Sequence, residues 1–331
     1  MTSANPSRPS TAAVAIALLI VYVVWGSTYL GIAVMIETLP PLLAAGVRYA
    51  TAGLLVLGAL AARARFRRSA EPAERPTAAH WRSAFIVGAL LLLGGNGGVV
   101  LSELFIPSGI TAVLVATTPI WLAVFDAVLS RRWPSGLVIG GLIAGIVGVA
   151  ILVAPVESVA EVDPLGVGLV TMAEISWAAG SLYARRAPLP RSPLLGTGLE
   201  MLAGGILLVA AGSVLGEIGR TDVTEFSLRS IAALAYLIVF GSIVAFTAYT
   251  WLLANVPVST VGTYAYVNPI VAVALGAVLL SEPITPRTLI ATVIILGAVV
   301  AMVSGRPRDG TEEAGPAPEA ATPEAATPEP E

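Results

Sequence analysis

Residues 41–53 read PLLAAGVRYATAG and residues 193–205 read PLLGTGLEMLAGG, so one pattern occurs twice at a shift of 193 − 41 = 152 positions. The two copies share a Pro-Leu-Leu opening and two glycines, which are Gly46 and Gly53 in the first copy. Trp25 and Trp177 obey the same shift. This internal similarity predicts two copies of one structural unit.

Further along the chain the repeat continues at a shift of 150 positions. Pro107 corresponds to Pro257, residues 119–120 (Pro-Ile) to 269–270, and residues 127–129 (Ala-Val-Leu) to 277–279. Apolar stretches resemble one another by chance, but a nearly constant shift and aligned prolines are not expected from chance alone. The two halves are therefore predicted to share a fold.

The composition indicates a membrane protein. Of the 331 residues 56% are hydrophobic and only 12% are charged, and the mean hydropathy is +0.87. A soluble domain carries roughly 25% charged residues and needs a polar surface. The absence of cysteine excludes disulfides, thiolate metal sites and cysteine catalysis. Nucleic acid is also excluded as a partner, because the basic residues lie in short loops between apolar runs.

Ten stretches are long and apolar enough to cross a bilayer, which takes about 20 residues. The fold class predicted is therefore an all-α membrane protein with ten transmembrane helices. The predicted spans are 12–34, 40–62, 82–103, 107–130, 134–154, 164–184, 194–214, 229–251, 257–280 and 285–304.

The arginines predict the orientation, since cytoplasmic loops are enriched in basic residues. Fourteen of the 18 basic residues, all arginine, lie before the first span, after the last or in alternate loops. We call the side that carries them the arginine-rich face. The opposite, arginine-poor face carries only Arg220, Arg229 and Arg287, and Arg48 lies within a span. This alternation predicts that both termini are cytoplasmic.

Each half holds five predicted helices, and five is odd, so the second half must enter the membrane from the opposite side. Two inverted five-helix repeats, with a ligand site between them near the midplane, are common in secondary transporters. The acidic, proline-rich C-terminal segment is predicted to be disordered. The predicted divisions are an N-terminal tail 1–11, a first repeat 12–154, a linker 155–163, a second repeat 164–304 and a tail 305–331.

Several short motifs carry a family resemblance. They are VWGSTY at 24–29, PPLLAAGVRY at 40–49, GGNG at 94–97, PSG at 107–109, ATTP at 116–119, YVNP at 266–269 and SEP at 281–283. Over residues 12–304 the chain resembles the drug/metabolite transporter superfamily in its EamA-type ten-helix branch. The resemblance implies two five-helix repeats around a central cavity, with the fifth and tenth helices at the periphery. It is closest to an inner-membrane branch described as exporting amino acids and related metabolites.

Arg48 is the first candidate for binding substrate, because a charge inside a span is costly and an arginine fork suits a carboxylate. The alternative is a structural arginine that caps carbonyls or pairs with a fixed acid. Polar and aromatic residues deep in the spans are candidates for lining the cavity, the alternative being simple helix packing. These are Trp25, Tyr29, Asn96, Trp177, Tyr264, Tyr266 and Asn268.

Coupling and gating are assigned to a second group. Glu174 lies near the midplane, where ionisation is disfavoured, which suits a proton carrier or, alternatively, a neutral hydrogen-bonding residue. Glu200 is the repeat counterpart of Arg48 (48 + 152 = 200), which suggests a pair of opposite charges across the central axis. The alternative is two separate structural roles, because the inverted repeat offsets the two residues by ~8–10 Å along the membrane normal. Pro119 and Pro269 are predicted to kink their helices. Glu103, Asp126 and Glu282 lie near helix ends and are predicted to be interfacial.

The function predicted is secondary transport of a small amphipathic metabolite, with an amino acid as the first choice and export as the direction. An intramembrane enzyme and a non-transporting scaffold are the alternatives. The chain has no lysine, hence no GxxxxGK nucleotide loop, and no cofactor or metal is expected. The expected partners are the small-molecule substrate and the bilayer. The small-residue pattern of Gly136, Gly140, Gly141 and Gly145 mediates helix contact either within one chain or in a homodimer.

Overall fold

The computed structural model describes residues 10–66, 74–131, 136–153, 162–184, 186–256 and 264–304. Within these ranges the chain is helical and has no β-strand. Seven helices are long and apolar enough to span a membrane, and three shorter apolar helices bring the number to ten. The fold is an all-α membrane protein of two inverted five-helix repeats, as the sequence predicts.

The ten helices are numbered α1 to α10 in chain order, and some consist of consecutive segments. They are α1 (Thr11–Met35), α2 (Pro41–Phe66), α3 (Ala78–Ser102), α4 (Ser108–Val115 and Thr118–Ser130), α5 (Gly136–Val153), α6 (Pro164–Ala184), α7 (Pro193–Val214), α8 (Leu228–Tyr236, Leu237–Val244 and Ala245–Asn255), α9 (Tyr264–Leu280) and α10 (Pro286–Ser304).

The helix contacts obey the symmetry of the repeat. Repeat counterparts α2 and α7 pack against each other, and so do α5 and α10. Helix α3 packs on α6 and α7 of the second half, and its counterpart α8 packs on α1 and α2 of the first. The third helix of each half is thus exchanged, in the sense that it packs against the other half. Both halves therefore contribute helices to the interface between them.

Glycines bring α2 and α7 into backbone contact. A β-carbon built on Gly46 would lie 2.9 Å from the carbonyl oxygen of Gly205, and one on Gly53 would lie 2.8 Å from that of Gly198. Because 46 + 152 = 198 and 53 + 152 = 205, the second contact is the symmetry counterpart of the first. The pseudo-two-fold axis therefore passes through this helix pair.

Two carboxylates join the halves at related positions, one on each face. On the arginine-poor face Glu217, after α7, accepts hydrogen bonds from the N–H groups of residues 42 and 43 at 3.0 and 2.8 Å, and so caps α2. On the arginine-rich face Glu74, after α2, accepts from the N–H groups of residues 191 and 192 at 3.0 and 3.1 Å, and so caps α7. The bonds from Arg191 and then Ser192 lower the pKa of the Glu74 carboxyl.

A third carboxylate joins α9 to α4 on the arginine-poor face. Glu282 accepts hydrogen bonds from Ser108 N at 2.9 Å, from Ser108 Oγ at 2.7 Å and from Gly109 N at 3.0 Å. These groups are otherwise unpaired donors at the start of a helix. The sequence-based prediction of an interfacial position for Glu282 misses this contact with the opposite half.

Three helices contain π-helical segments, which are often found at functional sites. They are Val21–Trp25 in α1, Gly88–Asn96 in α3 and Leu237–Val244 in α8. The segments in α3 and α8 begin at related positions, because 237 − 88 = 149. Both exchanged helices thus have irregular hydrogen bonding at the same level.

The glycine pattern of α5 is partly used inside the chain. A β-carbon on Gly145 would lie 2.5 Å from Ile120 and one on Gly148 would lie 2.7 Å from Ile295 of α10. Gly136 and Gly140 have no such neighbour within 4 Å among the described residues. The homodimer contact stays a prediction.

Candidate functional site

Arg48 lies at the interface between the halves, inside the protein. It is 4% exposed, and its Nε donates to Ser242 Oγ at 3.0 Å in the π-helical segment of α8. The guanidinium carbon also lies 4.6 Å from the centre of the Tyr49 ring, a cation–π distance. The buried arginine is thus held from one side by a helix of the opposite half.

Arg48 does not pair with Glu200. The ion pair found in the described part of the chain joins Arg229 to Glu37 at 3.4 Å. Gly46 packs against the backbone of Gly205 and Val209, so Arg48, two positions on, lies level with residues 203–207. Glu200 is three to seven residues away along α7, or ~5–10 Å, which agrees with the offset predicted from the repeat.

Glu174 lies in the middle of α6 and is 3% exposed. Its Oε2 is hydrogen bonded to Thr118 Oγ1, and the same hydroxyl contacts the carbonyl oxygen of Val115 at 2.6 Å. Thr118 is the donor in both contacts, so its hydroxyl links Glu174 of α6 to the backbone of α4.

Aromatic rings cluster where α1, α8 and α9 meet. Trp25 lies 5.1 Å from Tyr264, 5.0 Å from Tyr249 and 5.6 Å from Phe246, measured between ring centres. Its Nε1 donates to the carbonyl of Gly241 at 3.2 Å. The structure thus brings the predicted Trp25 and Tyr264 together and adds Phe246 and Tyr249, which the sequence analysis missed.

Tyr29 belongs to the main hydrophobic core and lies in electrostatic range of several groups on other helices. These include the carboxyls of Glu174 and Glu103 and the hydroxyls of Tyr264 and Tyr49. Tyr29 thus lies near residues of α2, α6 and α9 and of the turn after α3, and only some of these were grouped by the sequence.

Trp177 and Asn96 lie on the other side of the interface, between α6 and α3. A β-carbon on Gly95 would be 2.9 Å from the Trp177 ring, so this glycine makes room for the indole. Asn96 ends the π-helical segment, and its Nδ2 makes a long 3.5 Å bond to the carbonyl of Leu91. The two tryptophans related by the repeat therefore lie in separate clusters.

The proline sites of the two halves differ. Helix α4 is interrupted at residues 116–117, with Pro119 in the first turn of its second segment, whereas α9 runs through Pro269 without a break. Buried Asn268 has its amide oriented so that the nitrogen donates to the carbonyls of Tyr22 and Tyr264 at 3.2 Å each. The side chains of Pro119, Asp126 and Tyr266 lie outside the described residues.

Glu103 is the residue that the sequence analysis placed wrongly. Both of its carboxyl oxygens are shielded from solvent and have no hydrogen-bond partner in the described part of the chain. The prediction of an interfacial position fails because residues 103–106 turn back over the end of α3, with Phe105 and Ile106 N–H bonded to the Ser102 carbonyl. In the sequence, the only feature that marks Glu103 as a functional candidate is its charge next to a helix end.

Comparison with known proteins agrees with this architecture. The EamA-like transporter family matches residues 12–154 and 164–304. An uncharacterized inner membrane transporter, YedA of Escherichia coli K12, is 38% identical over 294 residues, covering 88% of this chain and 90% of the relative. A probable amino-acid metabolite efflux pump of the same strain is 23% identical, covering 87% and 93%.

A solved crystal structure has the same fold, with a TM-score of 0.57 at 19% identity, and the match covers 88% of this chain and 96% of the other. Two family domains account for most of the chain, and the named relatives are transporters rather than enzymes. The chain is therefore a membrane-embedded transporter of a small molecule, and it belongs to the EamA-like transporter family.

Proposed function

We propose that the chain is a secondary transporter that exports amino acids or related small amphipathic metabolites by alternating access between its two halves. The observation that supports this most strongly is the reciprocal interface, in which α3 and α8 are exchanged and buried polar groups lie between the halves. A buried charge inside a membrane span is costly and is a functional candidate by default, and here it would serve to select the substrate.

Substrate binding is assigned to Arg48 and the aromatic residues near it. Nε is held by Ser242, which leaves the two terminal nitrogens of the guanidinium to bind a carboxylate. Trp25 and Tyr264 would contact an apolar side chain. Arg48, Glu174 and Asn268 are each at most 6% exposed. Under alternating access, substrate would reach them only when the halves separate.

Gating is assigned to the arginine-poor ends of α4 and α9, which Glu282 joins. Opening the arginine-poor face requires these ends to part, with loss of three hydrogen bonds. The π-helical segments of α3 and α8 offer places where each exchanged helix can bend without losing regular bonds along its whole length.

Proton coupling is assigned to Glu174. The hydroxyl of Thr118 links it to α4, a helix broken at residues 116–117, so movement of α4 would change the environment of the carboxyl. Loss of the proton in one conformation and its recovery in the other would couple proton flow to transport. The proposed location is the plasma membrane (the inner membrane in bacteria with two), with both termini cytoplasmic.

Purified protein in proteoliposomes tests this proposal, with radiolabelled phenylalanine as the first probe. Wild-type protein should catalyse uptake and counterflow. Arg48→Lys keeps the charge but loses the planar fork, so transport should fall about tenfold or more, the value of one charge-assisted hydrogen bond.

Arg229→Lys is the matched control, because Arg229 is an exposed arginine on the arginine-poor face. It should transport like the wild type. Normal transport by both Arg48→Lys and Arg48→Ala would remove Arg48 from the binding site.

A further inference from the structure

Glu103 has an unusual environment for a carboxyl group. Both oxygens are buried, yet no described residue donates a hydrogen bond to either of them. Buried polar groups nearly always have partners, and those that lack one call for an explanation. The mechanism proposed above does not use this residue.

A nearby carboxylate does not share this problem. Glu282 lies in electrostatic range of Glu103, but its own oxygens accept three hydrogen bonds at the start of α4. The structural role on this face is therefore already filled by Glu282, and Glu103 adds no contact to it. The nearby carboxylate of Glu282 makes burial of Glu103 without a hydrogen-bond partner still less favourable.

Arg48 is the complementary case. It lies in electrostatic range of Glu103, but no carboxylate of the described residues is within 4 Å of its guanidinium. Its charge is met by a neutral hydroxyl and an aromatic ring only. Helix α2, which carries Arg48, packs against the last turns of α3, immediately before Glu103. A buried cation and a buried carboxyl thus lie on contacting parts of the chain but do not pair.

We propose that Arg48 and Glu103 are the two ends of a site for a zwitterion, an α-amino acid whose carboxylate binds Arg48 and whose ammonium donates to Glu103. This rests on the proposed transport function and specifies its substrate. A ligand with both charges supplies the partner that each residue lacks, through charge-assisted bonds of about 2.7–2.9 Å. Tyr29, which lies in range of Glu103, would border the ligand between the two ends.

The test uses three probes that share one aromatic side chain, which suits the Trp25 cluster. Phenylalanine carries both charges, 3-phenylpropionate lacks the ammonium and phenethylamine lacks the carboxylate. Counterflow is measured for each in proteoliposomes. The wild type should move phenylalanine at least about tenfold faster than either analogue, since each analogue leaves one buried charge unpaired.

Glu103→Gln is the informative variant. Phenylalanine transport should fall about tenfold and should no longer exceed transport of 3-phenylpropionate, because deleting the ammonium costs nothing once its partner is gone. Glu103→Asp keeps the charge and should keep the preference for phenylalanine even at a lower rate, which covers the case in which the Gln variant fails to fold. Glu37→Gln, an exposed carboxylate on the same face, is the control and should change nothing.

The outcomes separate the two proposals. If Glu103→Gln retains the wild-type preference for phenylalanine over 3-phenylpropionate, or if the wild type moves both equally, the zwitterion site is wrong while transport of an amphipathic carboxylate stands. If the wild type moves none of the three probes, the amino-acid substrate class fails and the zwitterion site fails with it.

Discussion

At the scale of single residues, Glu174 illustrates how one hydroxyl can join a buried carboxyl to another helix. The Thr118 hydroxyl donates to both Val115 O and Glu174 Oε2. The sequence supports the position of this carboxyl, since it lies ten residues into a span, but the bridging hydroxyl belongs to another helix.

Replacement of Glu174 by Gln should separate transport from its driving force. The amide keeps the shape of the acid, and its oxygen can accept from Thr118, so substrate exchange should persist. Gradient-driven accumulation should be lost because the side chain no longer titrates. The measurement is uptake with and without a pH gradient. Glu37→Gln serves as the control, and unchanged accumulation with unchanged pH dependence in the Glu174 variant would make this residue structural.

Sequence reasoning found the buried charges inside the spans but misjudged those at the span ends. Arg48 and Glu174 are predicted to be buried because their neighbours along the chain are apolar over a full membrane thickness. For Glu103 and Glu282 the local sequence looks like any helix end. Their environments are decided by a turn that folds back over α3 and by the start of α4, and neither tertiary contact can be read from the residues alone.

At the scale of helices, hydropathy predicts the spans well, and one is reproduced at both ends, at residues 164–184. The π-helical segments are not predicted, and for α4 the sequence predicts a kink at Pro119 rather than a break at residues 116–117. An apolar run indicates that its residues face lipid or protein. It does not indicate how the backbone hydrogen bonds are spaced, which is what distinguishes a π-helical segment from an α-helix. Pro119 indicates an irregularity in α4, and nothing comparable precedes the segment in α8.

The contact between α2 and α7 predicts opposite effects on stability when two glycines of α2 are each replaced by alanine. Gly53→Ala places a methyl group 2.7–2.8 Å from the backbone of Leu202 and Gly198, so the helices must separate, at a cost of about 1–3 kcal/mol. Gly58→Ala meets nothing within 4 Å and should stabilise α2 by up to about 1 kcal/mol through helix propensity.

Thermal unfolding of the two alanine variants in the same detergent measures these effects. The midpoint should fall for Gly53→Ala and stay equal or rise for Gly58→Ala. A shift in the same direction and of the same size for both would mean that close packing at Gly53 contributes nothing to stability.

At the scale of the whole molecule, the inverted arrangement is predicted by parity and by the arginine bias, which are properties of the complete chain. Each half must expose equivalent loops on opposite faces, as the caps from Glu217 and Glu74 illustrate. The exchange of α3 and α8 between the halves is not predictable in this way, because hydropathy gives the spans and their direction but no neighbours.

Reporter fusions test the orientation. A reporter placed after Arg67 should be cytoplasmic and one after Val156 should be on the opposite side, because an odd number of spans separates them. Activity of a cytoplasmic reporter and of a periplasmic or external one at each position provides the measurement. The same location for both fusions would contradict the inverted repeat.

The reciprocal glycine contacts have a consequence for the history of the chain. The repeat operation converts the Gly46–Gly205 contact into the Gly53–Gly198 contact. Two separate, identical five-helix chains in an antiparallel homodimer would likewise make one such contact twice. Such an ancestor could not hold arginine at one of the related positions and glutamate at the other, because a single gene would encode both. Duplication of the coding sequence removes that restriction, and the opposite charges at Arg48 and Glu200 are a divergence that two separately encoded halves can carry.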